Sequence, residues 1–450
     1  MLRTALRAAR RSGPLAARRL AALEAETASS KSVQNVVRVF TTASVPGRAL
    51  AVPKENYSIN YHNAPPAEGY AFFMPRRSLI GPGAIKGIGP VVEKLGLSKA
   101  LIVTDAFLAK SGATKAITDV LDKIGVSAAV FDGAQPNPTD KNVEDGLASM
   151  KANGCDFVIS FGGGSSHDCA KAVCLVASNG GRIHDYEGVD KSTAPLTPLI
   201  SVNTTAGTAS EMTRFSIITD LSRHVKMAIV DSAVTPLVAV DDPALMVGMP
   251  KGLTAATGMD ALTHAVEAYM STISNPVTDA SALHAMKLIS GYLRTAVHEG
   301  TNAQARDMMS YAQFLAGMAF NSASLGYVHA MAHQLGGFYD LPHGVCNAVL
   351  LPVVQEFNAS AVPHRFIDVA EAMGVEYSGG ADAAADAVIA GIRQLSSDVG
   401  IPRNLKELGA KPEDFDTLAT NTLKDVCGLT NPREASHAEV VELFKRAYEQ

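Results

Sequence analysis

Two separate segments of this chain place carboxylate and imidazole side chains at spacings that suit metal binding. In the first segment, Thr257 to His264, Asp260 and His264 lie four residues apart. On a helix this spacing puts both side chains on one face, one turn apart. Surface helices carry such pairs without any ligand, so this pair alone leaves both interpretations open.

The second segment, Gly326 to Gly344, is rich in histidine. His329 and His333 repeat the four-residue spacing, and His343 follows beside a Pro-His-Gly break. Three of the twelve histidines of the chain therefore fall within fifteen residues. Exposed imidazoles are the alternative, but both segments have apolar neighbours throughout. Nitrogen and oxygen ligands without thiolate suit Fe(II), Zn(II), Mn(II), Co(II) or Ni(II). The sequence therefore predicts a divalent-metal site formed by four residues: Asp260, His264, His329 and His343.

A glycine-rich turn indicates a nucleotide site. The run Gly162-Gly-Gly-Ser-Ser-His-Asp168 stands where a predicted strand ends and a predicted helix begins. Without Cβ atoms, the backbone N–H groups and the helix N-terminus could approach a pyrophosphate. The run matches neither G-x-G-x-x-G nor a phosphate-binding P-loop, which would carry a lysine. The turn predicts a nucleotide contact only in combination with other features.

Two further segments supply such features. Asp105 follows an earlier predicted strand, where a carboxylate could accept both ribose hydroxyls of NAD and repel the 2′-phosphate of NADP. An ordinary helix N-cap is an equally good interpretation of Asp105 from its position. Thr204 to Thr208, after another predicted strand, offers hydroxyl groups and a flexible backbone at the same edge.

The elements that must position these residues divide the chain into two halves. From residue 68 to 243, short apolar runs alternate with helical stretches, which predicts an open, doubly wound parallel sheet of the Rossmann-like α/β class. We assign residues 68–243 to this dinucleotide-binding domain. From 244 to 450 the pattern changes to Ala-, Met- and Leu-rich helices broken at Pro276, Gly300 and the Pro342 region, which predicts an all-helical metal and substrate domain. The predicted strands are Lys99–Asp105, Ser127–Phe131, Asp156–Phe161 and Pro198–Val202, and the predicted helices between them run from Asp105 to Leu121, Asn142 to Asn153 and Cys169 to Ala177.

The amino terminus has the composition of a targeting segment. The first 23 residues contain six arginines and no acidic residue in an Ala/Leu background, which is typical of a mitochondrial transit peptide. Its apolar stretches are too short for a secretory signal or a membrane span. A basic nucleic-acid-binding helix is the alternative for this segment. We therefore expect residues 1–40 to direct the protein to the mitochondrial matrix, with processing near Phe40.

Charge and cysteine content narrow the class of protein. The formal net charge of the chain is −5, and residues 1–40 carry eight Lys/Arg against two Glu, so their removal leaves about −11. Such an acidic chain has no electrostatic case for binding nucleic acid. No apolar stretch reaches membrane-spanning length, so we expect no membrane insertion. Five cysteines without CxxC spacing argue against a disulfide framework.

At this point the motifs resemble those of the iron-containing (group III) alcohol dehydrogenases, over roughly residues 70–450. The carboxyl-terminal motif is closest to that of 1,3-propanediol dehydrogenases, with lactaldehyde reductases as wider relatives. The motifs that carry the resemblance are Gly162-Gly-Gly-Ser, Asn137-Pro-Thr139, Thr204-Thr-Ala-Gly-Thr-Ala-Ser-Glu211, Gly258-Met-Asp-Ala-Leu-Thr-His264, and the three histidines His329, His333 and His343.

The resemblance implies roles for individual residues. The metal ligands of the family, for Fe(II) or Zn(II), fall on the four residues predicted above, and His333 falls on a non-ligating histidine near the nicotinamide. The resemblance also implies a homo-oligomer. The implied NAD contacts are Asp105, Asn137, Gly162, Gly163, Gly164, Ser165, Ser166, Thr204, Thr205, Thr208, Thr213, Lys226, Leu245 and Gly248.

The activity implied is interconversion of a small primary alcohol or diol and its aldehyde, with a metal as Lewis acid and hydride transfer to NAD. His333 could relay the alcohol proton, or could fill the cleft as a hydrogen-bonded residue. The nearest rival is a mitochondrial hydroxyacid–oxoacid transhydrogenase acting on 4-hydroxybutyrate and 2-oxoglutarate. That enzyme would need arginine or lysine residues to bind the two carboxylates of its substrates, and the two metal segments contain neither. A non-redox metal-dependent lyase of related fold, and a non-enzymatic metal-binding protein, are the remaining alternatives.

Overall fold

The computed structural model describes residues 70–223 and 225–450, so the predicted targeting segment of residues 1–40 lies outside the described residues. The first half is built on a six-stranded parallel sheet, whose strands are β1 (Arg77–Ile80), β2 (Lys99–Val103), β3 (Ser127–Phe131), β4 (Phe157–Gly162), β6 (Leu199–Asn203) and β9 (Val238–Asp241). Their order across the sheet is β1-β9-β6-β4-β2-β3. The central strands are continuous buried runs, as expected for a parallel sheet covered on both faces.

Helices cover both faces of this sheet and confirm the α/β class predicted for this half. The predicted helix from Asp105 to Leu121 is wrong in one respect, because it is two helices separated by a turn in which Gly112 has a φ of +79°. The helices of this half are α1 (Ile88–Leu95), α2 (Ala106–Lys110), α3 (Lys115–Asp122), α4 (Asp140–Asn153) and α5 (Gly164–Asn179).

A second, three-stranded sheet was not predicted. Its strands β7 (Phe215–Asp220) and β8 (Val225–Val230) form an antiparallel hairpin, and β5 (Gly188–Val189) pairs with β8 in parallel. Residues of β7 alternate between buried and half-buried, as in a sheet with one face on the core. The hairpin matters for function because its strands line one wall of the cleft described below.

The last strand ends at Asp241, and the described chain beyond it is helical. A short 3₁₀ turn, Pro243–Met246, joins the two halves. Asn275 caps the second long helix of this half with its side chain, and Pro276 occupies the first helical position, where its missing N–H costs nothing. These helices are α6 (Lys251–Met270), α7 (Pro276–His298), α8 (Ala303–Ala323), α9 (Tyr327–Tyr339), α10 (His343–Ala359), α11 (Arg365–Met373), α12 (Ala381–Asp398), α13 (Phe415–Thr422) and α14 (His437–Glu449).

The helical half has its own apolar core, which surrounds α6. This helix is buried along almost its whole length, from Thr254 to Met270, so its polar residues lie in the interior of the protein. Asp260 and His264 belong to that buried stretch and are not a surface pair. None of the helices in the described part of the chain is long and apolar enough to cross a membrane.

Candidate metal and cofactor site

A cleft of about 540 Å³ separates the carboxyl-terminal edge of the sheet from the helical half. One wall carries the glycine-rich turn and the β7–β8 hairpin, and the other carries residues of α6, α8, α9 and α10. The predicted metal and nucleotide residues thus face the same space. The site residues predicted from the sequence that line this cleft are Asn137, Gly164, Ser165, Thr208, Thr213, Lys226, Asp260, His264, His329, His333 and His343.

Three of the four predicted metal ligands bring donor atoms together at the helical wall. Nε2 of His329 lies 3.8 Å from Oδ1 of Asp260, and Nε2 of His343 lies 3.7 Å from the same oxygen. Each residue comes from a different helix, so only the tertiary fold assembles the group. Asp260 and His329 are buried, and His343 is half-buried at the cleft wall.

The fourth predicted ligand, His264, lies beside this group. Its ring stacks on that of His329 with centroids 4.5 Å apart, and on Phe320 at 4.2 Å. Its Nδ1 is buried and has no hydrogen-bond partner. Burial, more than the neighbouring imidazoles, holds the pKa values of His264, His329 and His343 below the usual range for histidine. The three imidazoles are therefore held neutral, which is the state that binds metal.

Glu267, which the sequence analysis missed, fixes one ligand. The His329 Nδ1–H group donates to Oε2 of Glu267 at 2.6 Å, and the Val328 amide donates to the other oxygen at 2.7 Å. This bond leaves Nε2 of His329 unprotonated and aimed at Asp260, the usual carboxylate–histidine–metal arrangement. Burial raises the pKa of Glu267 to about 8, and a cation beside His329 would oppose that shift. Its spacing from His264, one helical turn, was the signal available in the sequence.

Asn347, also missed, contacts all three donor groups. Its Nδ2 lies 2.7 Å from Oδ1 of Asp260, 3.0 Å from Nε2 of His329 and 3.1 Å from Nε2 of His343. The two amide hydrogens of Asn347 face three acceptor atoms, so at least one of these atoms receives no hydrogen bond from Asn347. A pocket rich in buried Lewis bases and poor in protons suits a divalent cation, and the predicted residues therefore fit one. Asn347 follows His343 by one helical turn, which was its signal.

His333 lies one turn beyond His329 and is paired with an acidic residue. Its Nδ1–H donates to Oδ2 of Asp425 at 2.9 Å, and its ring stacks on that of His343 with centroids 5.3 Å apart. Burial would raise the pKa of Asp425, but the adjoining His333 and a hydrogen bond from the Cys427 amide hold it below the usual range. Asp425 also lines the cleft. No spacing in the sequence links it to His333, because 92 residues separate them.

The glycine-rich turn has the shape of a phosphate cradle. Helix α5 begins after Gly163, and no side chain caps its first turn. A Cβ on Gly163 would lie 2.9 Å from the Thr205 methyl group, and a Cβ on Gly164 would lie 3.0 Å from that of Thr208. A side chain at position 163 would therefore displace the Thr205 side chain, and one at position 164 would crowd that of Thr208. The free N–H groups of a helix N-terminus therefore open on the cleft, where an anion would be favoured.

A buried ionic network supports this turn from behind. Lys171, fully buried, donates from Nζ to Ser210 Oγ and Thr213 Oγ1, each at 3.1 Å, and to the Phe215 carbonyl at 2.6 Å. Ser210 Oγ in turn donates to Asp168 at 2.6 Å. Burial lowers the pKa of Lys171 to about 8, although the neighbouring carboxylates of Asp168 and Glu211 oppose this shift. The predicted contact Thr213 is thus engaged in fixing α5 to the β7–β8 sheet as well as lining the cleft.

Asn137 and Lys226 both line the cleft and contact each other. Nζ of Lys226 donates to Oδ1 of Asn137 at 2.8 Å, and Nδ2 of Asn137 donates to Asp340 at 2.7 Å. Asn137 has a left-handed φ of 54°, a conformation that asparagine tolerates better than most residues. Burial lowers the pKa of Lys226. This chain of bonds links the two halves of the molecule across the cleft.

The remaining predicted cofactor residues do not line the cleft. Asp105 caps α2: its Oδ1 accepts from the amides of Phe107 and Leu108 at 2.8 and 2.9 Å. Leu245 packs against the apolar cluster of the sheet, and Gly248 is exposed beyond the 3₁₀ turn. The others belong to the glycine-rich and threonine-rich turns, next in the chain to lining residues or close to them, and do not line the cleft themselves: Gly162, Gly163, Ser166, Thr204 and Thr205.

Comparisons with known proteins give the family of this chain. The family model described as iron-containing alcohol dehydrogenase matches residues 75–243, and that of the carboxyl-terminal part of the Fe-containing alcohol dehydrogenase family matches residues 254–448. Alcohol dehydrogenase 4 of Schizosaccharomyces pombe is 52% identical over 379 residues, 84% of this chain and 89% of that protein. 1,3-Propanediol dehydrogenase of Klebsiella pneumoniae is 49% identical over 382 residues, 84% of this chain and 99% of that protein.

Solved structures give the same result for the fold. A crystal structure of a 1,3-propanediol oxidoreductase superposes with a TM-score of 0.83 at 49% identity, covering 84% of this chain and 100% of that one. A sulfoacetaldehyde reductase from Bifidobacterium kashiwanohense in complex with NAD⁺ superposes with a TM-score of 0.76 at 30% identity, covering 85% and 99%.

Proposed function

Because this chain belongs to the iron-containing alcohol dehydrogenase family, we infer that its cleft interconverts a small primary alcohol or diol and its aldehyde, with NAD as the redox partner. The observation that carries this inference is the meeting of two sites in one cleft. The donor atoms of Asp260, His329 and His343 converge on one wall, and the glycine-rich turn before α5 forms the other. Such a cleft brings a polarised alcohol next to a dinucleotide.

The metal we propose is Fe(II), held by Asp260, His264, His329 and His343, with Zn(II) as the ion that the same ligands would also accept. Bound there, the cation supplies Lewis acidity that makes an alcohol proton easier to lose, and bound NAD supplies the hydride acceptor. The support for this ligand set is the neutral, buried state of the imidazoles and the Glu267 contact that orients His329.

The chain's own residues bind and orient the reactants. The uncapped N-terminus of α5 and the close-packed Gly163 and Gly164 suit a pyrophosphate, and Asn137 and Lys226 offer an amide and a cation in the same cleft. Two relatives support small alcohols as the substrate class: the 1,3-propanediol dehydrogenase of Klebsiella pneumoniae and the NAD-dependent methanol dehydrogenase of Bacillus methanolicus.

His333 is the residue we propose for the alcohol proton. It lines the cleft one turn beyond His329, and Asp425 accepts its Nδ1 proton. The hydrogen bond leaves Nε2 as the nitrogen able to accept a second proton. An imidazole in this position would hold the proton that the alcohol loses as hydride leaves its carbon, and would return a proton in aldehyde reduction.

Steady-state assays on anaerobically prepared Fe(II) protein test the proposal. We expect NAD-dependent oxidation of C1–C4 primary alcohols or diols, reversed by NADH and the aldehyde. The assays include 4-hydroxybutyrate with 2-oxoglutarate, and NADP in place of NAD. Turnover that needs 2-oxoglutarate and shows no net NAD reduction would point instead to the transhydrogenase, and metal-dependent turnover without redox change would point to a lyase.

We also propose that the protein works in the mitochondrial matrix. The proposal is supported by the composition of residues 1–40, with their six arginines before the first acidic residue. These residues lie outside the described part of the chain, so the proposal rests on composition alone.

A further inference from the structure

Ser324 holds a backbone conformation that normally requires glycine. It ends α8 with a φ of 60° and a ψ of −162°, a region in which a Cβ is strained. Strain of this kind persists only where the surroundings enforce it, and it occurs most often at functional sites. A glycine here would avoid the strain, so the presence of a serine needs an explanation.

The surroundings do enforce this conformation. Hydroxyl groups from other segments hold the backbone around Ser324: Ser271 Oγ donates to the Ala323 carbonyl, in the peptide group before Ser324, at 2.5 Å, and Thr430 Oγ1 donates to the carbonyl of the next residue, Leu325, at 2.6 Å. The Ser324 amide itself donates to the Phe320 carbonyl at 2.8 Å. These bonds fix the three-residue link between α8 and α9, and hence the position of the side chain at residue 324.

That side chain lies on the wall of the cleft, on the same side as the predicted metal ligands His264 and His329. Its chain neighbours on this wall, Phe320 and Leu325, are apolar. Ser324 is half-buried, and its hydroxyl makes no hydrogen bond within residues 70–223 and 225–450. A hydroxyl with no internal partner beside two apolar side chains of a cleft wall is the type of group that orients a ligand.

We propose that the Ser324 hydroxyl hydrogen-bonds a second polar group on the substrate and so makes the enzyme favour short diols over monoalcohols of equal length. This inference rests on the proposed alcohol dehydrogenase activity and adds a specificity residue to it. The serine is retained in a strained position because glycine would leave the far hydroxyl of a diol unpaired in an apolar part of the cleft. A desolvated hydroxyl without a partner weakens binding, whereas a monoalcohol loses nothing.

Two substitutions separate the hydroxyl from the strain. Ser324→Ala removes the hydroxyl and keeps the Cβ, whereas Ser324→Gly removes both. For the wild type and each variant, kcat/KM is measured with NAD for 1,3-propanediol and for 1-propanol. The readout is the ratio of the diol value to the monoalcohol value. We expect both variants to lower this ratio roughly 3- to 10-fold through the diol value. Ser322→Ala is the matched control: Ser322 lies on α8 and accepts from the Phe73 amide, away from the cleft.

Thermal unfolding of the metal-free proteins provides a second readout that is independent of turnover. We expect Ser324→Gly to unfold a few degrees above Ser324→Ala, because only glycine relieves the strain. An unchanged diol-to-monoalcohol ratio in both variants would overturn the proposal, as would a ratio that changes in Ser324→Gly alone. A wild type that oxidises neither alcohol counts against the proposed function instead. In that case the contact is tested by binding: thermal unfolding of the wild type and of Ser324→Ala is measured with metal and NAD added, with and without the diol. A diol that raises the unfolding temperature of the wild type only supports the contact, and equal protection of both proteins contradicts it.

Discussion

His333 donates its Nδ1 proton to the carboxylate of Asp425, 2.9 Å away, although 92 residues separate the two in the chain. A carboxylate in this place fixes the tautomer and the ring orientation of the imidazole, so that Nε2 remains the accepting nitrogen. Asp425 also accepts from the Cys427 amide at 2.9 Å, which fixes the carboxylate in turn. The pair has the form of a proton acceptor with its orienting group.

We predict that Asp425→Asn lowers kcat by about 10-fold or more without loss of metal. The amide side chain of this variant would keep an oxygen for the Cys427 amide, but its NH₂ group would face His333 and favour the wrong tautomer. His333→Ala should lose more, about 10²–10⁴-fold, because a proton-transfer group is removed outright. The measurements are kcat, KM and the solvent isotope effect on kcat. Near-normal kcat in a metal-replete Asp425→Asn protein would return His333 to a packing role.

The second prediction concerns the metal. His343→Ala should abolish turnover through loss of the bound ion, while the fold and NAD binding survive, because His343 is one of the four proposed donors and lies at the start of its own helix. His264→Ala should behave in the same way. Metal content by mass spectrometry, circular dichroism and NAD titration check this.

The matched control for the metal prediction is His284→Ala, since His284 is an exposed histidine of the same helical half. That variant should retain both metal and activity. Stoichiometric metal together with full turnover in His264→Ala or His343→Ala would remove that residue from the ligand set.

Much of this architecture could be predicted from local sequence. Continuous apolar runs such as Phe157–Gly162 marked the parallel strands, and helical spacing marked Asp260 with His264. The antiparallel hairpin was not predicted, because no helix separates β7 from β8 and the pair does not follow the alternation of strand and helix that indicates a parallel sheet. Asp425 was missed for a different reason. Tertiary folding brings it to His333, and sequence periodicity carries no information on a contact between segments so far apart.

The third prediction separates two roles for Asp105, which caps α2 through one oxygen. Asp105→Asn removes the charge and keeps the cap, since asparagine caps helices as well as aspartate. If the carboxylate repels a 2′-phosphate, the ratio of kcat/KM with NADP to kcat/KM with NAD should rise by roughly 10-fold or more in this variant. Asp105→Gly should shift the preference similarly. An identical NAD-to-NADP ratio in the wild type and Asp105→Asn would leave Asp105 as a cap alone.

The fourth prediction concerns the amino terminus. We expect import into mitochondria and cleavage between about residues 38 and 45, after the arginine-rich stretch. Import of the full chain into isolated mitochondria, followed by amino-terminal sequencing of the native protein, tests this. The matched control replaces the six arginines of the first 23 residues with glutamine and should stay outside. A native protein that still begins at Met1, or begins beyond Tyr70, would contradict the processing prediction.

The last prediction uses a buried carboxyl pair between the two halves. Glu211 and Asp241 are both fully buried, and Nε2 of Gln313, from α8, donates to an oxygen of each at 2.9 Å. Asn203 donates to the same Asp241 oxygen at 2.9 Å. The other oxygens of both carboxyls have no further donor. Burial, and then the charge of Glu211, raise the pKa of Asp241 well above its ordinary value, and burial also raises the pKa of Glu211. We therefore expect the pair to share one proton, which Asp241 holds and donates to Glu211.

When folding raises the pKa of a carboxyl group, the folded state keeps a proton that the unfolded state has lost. The stabilising contribution is therefore full below the unfolded pKa and is lost as the pH rises from there to the folded pKa. Asp241→Asn imitates the protonated form: its oxygen still accepts from Asn203 and Gln313, and its Nδ2 donates to Glu211. We therefore predict that this variant gains about 1–3 kcal/mol in the free energy of unfolding at pH 8, and less at pH 5. Urea unfolding at both pH values measures this. Asp132→Asn controls for the loss of one negative charge, since Asp132 is exposed. Equal stability changes for Asp241→Asn at both pH values would mean that Asp241 does not carry the proton.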